Sequence, residues 1–260
     1  MKGNVLNLGL GLLSAFLFFS CLSDDDDDVY VSYGVIQNVH SAGNYEILTD
    51  KGNTLVVTKT YTTETIEEDK RVLVNYEILS DKDKSRNIYE VRVNGFYNLL
   101  SKPLVNESFI LQDEEARRDS IGNDPFSHIY AVFGGNFINI DFEVWHLQSS
   151  NEKHMINLVY DDTRAGADTI YLTLYHNAYG EVPGKVLSLY RGTGRSSFKI
   201  SDLLPEGVSA KPVKLTWTQY GSNYEPQVYS DSGTFKLGNA SDTNESLLRN
   251  IGLDSSIEVK

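Results

Sequence analysis

The sequence predicts an all-β protein, an N-terminal OB-like barrel followed by a C-terminal β-sandwich. Three observations carry this. The 260-residue chain holds 16 tyrosines against two methionines, with many Val, Ile and Thr, a composition that suits pleated strands. Runs of alternating apolar and polar residues recur between glycine-bearing turns. The first five runs come as three, a polar break, then two, which is the order of an OB barrel.

The barrel is expected over residues 29–105. Val29, Val31, Tyr33 and Val35 alternate along a long first strand, and Gly34 in its middle permits a sharp bend. Ser41-Ala42-Gly43-Asn44 turns the chain into Tyr45–Thr49. Asp50-Lys51-Gly52-Asn53 turns it again into Thr54–Thr58, glycine supplying positive φ. After polar Tyr61–Asp69, Val72, Val74, Tyr76 and Ile78 share one face of a fourth strand. In a fifth, Tyr89, Val91 and Val93 oppose Glu90, Arg92 and Asn94.

A polar connector is expected over 106–126 and the sandwich over 127–238. Eight strand-like runs follow: Ile129–Phe133, Phe137–Leu147, Met155–Tyr160, Thr169–His176, Val186–Tyr190, Ser197–Ile200, Pro212–Tyr220 and Gln227–Leu237. Ile138, Ile140, Phe142 and Val144 oppose Asn139, Asp141 and Glu143, so one face is buried and one is wet. Residues 239–260 are a polar tail with at most one short helix near Glu245–Ile251.

Ahead of the barrel, Lys2 and the uncharged run Val5–Phe19 form a leader of 15 apolar-rich residues, short of the ~20 a membrane-spanning helix needs. Residues 1–20 therefore read as a secretory signal. Ser20-Cys21 resembles the end of a bacterial lipoprotein signal, and Cys21 is the only cysteine, so it has no disulfide partner. Lipidation of Cys21 gives it a role, since acyl chains contribute ~0.8 kcal/mol per buried CH₂. Asp24 to Asp28 cannot pack together and resemble the surface-export signal of Bacteroidetes lipoproteins, so residues 21–28 are read as anchor and acidic spacer. The expectation is an outer-membrane, surface-exposed protein held by the lipid on Cys21.

Charge narrows the partners. The chain carries a formal −13, and residues 29–97 hold 8 Lys or Arg against 10 Asp or Glu. A phosphate backbone needs clustered cations, so nucleic acid is excluded as a partner. Reactive signatures are missing too: no Gly-x-Ser-x-Gly elbow, no His-Glu-x-x-His and no phosphate loop occur. Glu67-Glu68 and Asp161-Asp162 are adjacent in sequence and would diverge on strands. Asp119-Ser120-Ile121 matches the three-residue O-glycosylation acceptor pattern described for Bacteroidetes. No cofactor is expected.

Gly122-Asn123-Asp124-Pro125, Gly135-Asn136-Phe137-Ile138-Asn139-Ile140 and Leu174-Tyr175-His176-Asn177-Ala178-Tyr179-Gly180-Glu181 resemble the NigD-like lipoproteins across essentially the whole mature chain. The resemblance implies an N-terminal OB domain, a C-terminal sandwich and no established enzymatic activity. The family name, taken from a bacteriocin locus, associates it with immunity.

Two residue groups are candidate sites. His146 ends one expected strand, His154 opens the next and His176 ends the third. In an antiparallel meander these positions share one end and the parity of the apolar residues, so the imidazoles converge to bind a metal or remain ordinary rim histidines. Trp145, Tyr171 and Tyr175 have outward parity and form either a platform for a sugar or protein, or cross-strand pairs that stiffen the sheet. The functional expectation is a non-catalytic surface binding or immunity module for a protein or glycan. The alternative is a metal-dependent enzyme using the histidines.

Overall fold

The computed structural model describes residues 29–148, 153–164 and 166–238. The expected signal, Cys21, the aspartate run and the tail lie outside the described residues. Five strands close the first barrel: β1 (Val29–Ser41), β2 (Asn44–Thr49), β3 (Thr54–Thr60), β4 (Arg71–Asp83) and β5 (Ile88–Asn98), in the order β1-β2-β3-β5-β4. The single parallel contact, β3 with β5, closes it. Ile36, Tyr45, Ile47, Leu55, Val57, Val72, Val74, Val91 and Val93 fill the interior.

On β1 the inward face is the even one, Tyr30 to Ile36. The odd residues Val31 and Tyr33, expected to mark the strand's apolar face, pack outside the barrel with Leu73, Leu99 and Val132. The strand is apolar on both faces because it is covered twice. At Gly34 the need is proximity: a Cβ there would lie 2.6 Å from Ile47 Cγ2.

Two short strands leave the barrel, β6 (Leu100–Ser101) and β7 (Val105–Asn106), then two helices, α1 (Glu107–Leu111) and α2 (Glu114–Ile121). The expected polar connector thus carries helices that bury Ile110 and Ile121 against Val159. The sandwich adds β8 (His128–Gly134), β9 (Phe137–Leu147), β10 (Met155–Tyr160), β11 (Ile170–Asn177), β12 (Leu189–Lys199), β13 (Ala210–Tyr220) and β14 (Pro226–Lys236). One sheet is ordered β14-β13-β11-β10-β7 and the other β6-β12-β9-β8. Their inner faces meet through Ile138, Ile140, Phe142, Leu158, Leu172, Leu174, Phe198 and Phe235.

The two strands expected at Val186–Tyr190 and Ser197–Ile200 are one strand, β12, paired with β9 over its full length. Arg191-Gly192-Thr193-Gly194-Arg195 resembles a turn in sequence. It is a strand because a Cβ on Gly194 would sit 2.4 Å from the Phe142 ring, and because Arg195 is buried beside Asp141 at 3.5 Å.

Barrel and sandwich are joined by buried polar groups. Arg71 donates to both Asp50 carboxylate oxygens (2.6 and 2.5 Å), to Asn139 Oδ1 (2.9 Å) and to Ser197 Oγ (2.9 Å). Asn139 Nδ2 returns a bond to Asp50 (2.9 Å). Nearby, Tyr33 donates to Asp141 (2.9 Å). Burial and that carboxylate push the phenol's pKa up, and burial raises Asp141 in turn.

Candidate binding site

The three histidines are not in one sheet. His146 lies on β9 of the four-stranded sheet, while His154 and His176 belong to β10 and β11 of the other. The expected one-sheet meander fails because the chain crosses between layers after β9. Two of the three do meet: His154 Nδ1 lies 2.9 Å from His176 Nε2, with ring centroids 5.0 Å apart. His154 Nε2 faces Glu181 Oε2 at 3.3 Å, and the same oxygen accepts the Leu147 N–H at 2.7 Å.

With Glu181 ionised, His154 donates from Nε2 and accepts at Nδ1 from His176 Nε2–H. His176 Nδ1 lies against the Asp124–Pro125 backbone without a well-formed hydrogen bond. Burial, then the neighbouring His154, holds His176 down at about 3. Burial also lowers His154, although Glu181 opposes the shift. Among the described residues no group of three or more His, Cys, Asp or Glu side chains is placed to hold a metal ion. Three of the pair's four ring nitrogens are used on each other and on Glu181.

The aromatic candidates do not form one platform. Trp145 sits on the outer face of the four-stranded sheet with the Arg191 guanidinium 5.1 Å over its ring. Tyr171 and Tyr175 belong to the other sheet, on the opposite side of the sandwich. Arg164 lies 4.6 Å over Tyr171. Tyr175 packs with α1 and α2, and its hydroxyl accepts from Arg118 (3.1 Å).

The sequence motifs at 122–125 and 174–181 clasp each other. Asp124 N–H donates to His176 O (2.7 Å), and Ala178 N–H donates to Asp124 Oδ2 (2.8 Å). Gly122, at φ +74°, has no room for a Cβ, which would lie 2.6 Å from Asn177 Cβ. An open polar hollow of about 500 Å³ adjoins them, lined by Arg118, Asp119, Asn123 and Asn177. Arg118 is already engaged by Glu107, Glu114 and Tyr175, and Asn177 by the Asp119 and Ser120 carbonyls.

A different surface has unfilled apolar character. Strands β8 and β14 are the long edges of the two sheets, and a cleft of about 240 Å³ opens between them. Its floor is the edge of the sandwich core, the buried Ile129, Ile138, Val213 and Leu215, and the partly exposed Tyr130, Phe133 and Trp217 stand along its walls. Trp217 stacks on Tyr229 (centroids 6.3 Å, interplanar 18°), and its indole donates to Gln219 Oε1 (3.0 Å). Gly233 admits the Phe133 ring, which a Cβ would meet at 2.8 Å. Asp231 is the one charged residue in the lining. Sequence reasoning missed this cleft, although a signal existed. Opposite Val213, Leu215 and Trp217, β14 sets Gly233, Asp231 and Tyr229, a poor apolar cover for so apolar a partner strand.

Family models match twice: the NigD-like N-terminal OB domain over residues 33–98 and the NigD-like C-terminal beta sandwich domain over 108–229. Three solved structures share the fold. One is a candidate toxin-related protein from Parabacteroides distasonis, 24% identical, covering 85% of this chain and 98% of that one, TM-score 0.58. Another is a NigD-like immunity protein from Bacteroides caccae, 17% identical, covering 78% and 92%, TM-score 0.58. The third is a candidate lipoprotein from Bacteroides fragilis, 11% identical, covering 82% and 100%, TM-score 0.57. No curated protein matches. With matching models over both the barrel and the sandwich, more than half its length, the chain belongs to the NigD-like family.

Proposed function

We propose that this chain is a non-catalytic lipoprotein that binds a protein partner at the cell surface, in the manner of an immunity module. The observation that carries this is the cleft between β8 and β14, apolar inside and bearing a single carboxylate. At about 240 Å³ it is smaller than the ~300–1,000 Å³ of ordinary small-molecule sites, and it suits one or two side chains of a larger partner. Its lining is apolar, aliphatic at Ile129, Ile138, Val213 and Leu215 and aromatic at Tyr130, Phe133 and Trp217. Asp231 is the one charged group offered, which favours the apolar side chains of a protein over the many hydroxyls of a glycan. The histidine pair supports the non-catalytic part: both rings are buried, burial holds both pKa values below the ordinary range, and three of the four ring nitrogens are engaged in contacts within the protein. Lipid on Cys21 and export through the aspartate run put the module where an incoming protein arrives.

The test is survival. A strain lacking the gene is challenged with antibacterial proteins secreted by neighbouring strains. Deletion is expected to sensitise it, and the full chain to restore protection, whereas Cys21→Ser does not. Equal survival of all strains against every secreted preparation, with no surface crosslink to any protein, would sink the reading.

A further inference from the structure

Three of the sandwich's sheet edges are accounted for differently from the fourth. β6 and β7 are two residues each, and both belong to the segment leaving the barrel. β8 spans seven residues, and its outward Val132 packs against Tyr33 and Leu99. β14 is an 11-residue edge, exposed along nearly all its length, with only Asp231 and Lys236 charged. Natural proteins blunt such edges, because a row of unpaired N–H and C=O groups recruits another strand.

The ladder tells which groups those are. Tyr220 N–H donates to Phe126 O, away from β14, while Gly221 N–H donates to Glu225 O. Tyr220–Pro226 is therefore a non-hydrogen-bonded pair, and alternation makes Gln219–Gln227, Trp217–Tyr229, Leu215–Asp231 and Val213–Gly233 the bonded ones. Val228, Ser230, Ser232 and Thr234 then turn their backbone groups to the open edge. At one of them the edge is capped: Ser232 N–H donates to Asp231 Oδ1 at 2.7 Å. One carboxylate thus guards an edge amide and lines the apolar cleft beside it.

We infer that β14 is a strand-addition site for an extended, cationic segment of the partner, with alternate apolar side chains entering the cleft and a Lys or Arg meeting Asp231. This rests on the partner-binding reading above. Charge complementarity selects the occupant. An arriving ammonium or guanidinium draws the carboxylate off Ser232 and releases its N–H for the new ladder. A neutral or acidic strand leaves the cap in place, and a second copy of this chain, at net −13, brings the wrong sign.

The probe is a strand-length peptide alternating threonine and valine, with one central valine replaced by lysine. Hydrogen exchange of the full chain is expected to slow at Val228, Ser230, Ser232 and Thr234 on its addition. Asp231→Lys should weaken the peptide about tenfold and favour a glutamate-centred one instead. Ser230→Pro, which removes an outward N–H and spares the β13 ladder, should also weaken it. The inference is overturned by protection elsewhere than β14, or by unchanged affinity in both variants. It is equally overturned by a dimer that protects the same amides, or by faster β14 exchange after removal of residues 239–260, which assigns the edge to the chain's own tail. Peptide binding at β14 without a survival phenotype defeats the immunity reading alone. Protection that survives both substitutions defeats strand addition alone.

Discussion

Arg71 and Asp50 both belong to the barrel, yet their two-bond ion pair is completed by Asn139 and Ser197 of the sandwich. The guanidinium also lies 4.1 Å over the Phe137 ring. All three guanidinium nitrogens of Arg71 donate to a partner, and both residues are buried. The pair therefore couples two folding units that have separate cores.

Asp50→Ala should cost about 3–5 kcal/mol, the usual penalty for stranding a buried charge. The double variant Asp50→Ala with Arg71→Met should recover part of it, because no lone charge remains. Calorimetry should show the single variant's unfolding split into two transitions as the barrel and sandwich uncouple. One sharp transition with an unchanged midpoint would refute this.

His176 predicts a pH dependence. Its folded pKa is about 3 against an ordinary 6.5. The unfolded chain binds the proton more readily, so this contribution is fully present above 6.5 and is lost as pH falls toward about 3. The slope is about 1.4 kcal/mol per pH unit while the group titrates. Denaturant unfolding across that window should show the loss, and His176→Gln should flatten it. Parallel slopes in the two proteins would contradict the assignment.

Gly194→Ala tests the close approach inside β12. The added methyl would meet Phe142 Cζ at 2.4 Å and Cε2 at 2.5 Å, and Phe142 is fully packed in the core. Overpacking of this kind costs about 1–3 kcal/mol. Phe142→Leu in the same chain should relieve part of the strain, and a thermal melt of the three variants decides the matter.

Gly194 also shows why the sequence misled. Two glycines between arginines carry the composition of a turn, and only the Phe142 ring that Gly194 admits reveals a strand. The barrel was legible because β2, β3 and β5 alternate against a closed interior, whereas β1, and β4 at Leu73, have a second apolar face packed outside the barrel. The convergence of His154 and His176 could be read from parity and strand ends. His146 could not, since nothing local says that β9 and β10 enter different layers. The cleft was least legible, being defined by two edges about a hundred residues apart in sequence.

The chain's two tryptophans provide a last contrast. Trp145, the expected platform residue, is half-buried on a sheet's outer face with one cation–π neighbour. Trp145→Ala should cost less than the Trp217 change, about 1–2 kcal/mol, from the lost cation–π contact and the part of the ring that the sheet's outer face covers. Trp217 packs on the sandwich core, stacks on Tyr229 and holds Gln219. Trp217→Ala should cost about 3 kcal/mol, the lower end for losing a buried indole, because the ring also borders the open cleft. Each single-tryptophan variant then reports by fluorescence on one side of the sandwich. In the Trp145→Ala protein a lysine-centred strand peptide should shift the remaining emission, and in the Trp217→Ala protein it should not. A shift seen only from Trp145 would place the binding surface on the opposite sheet.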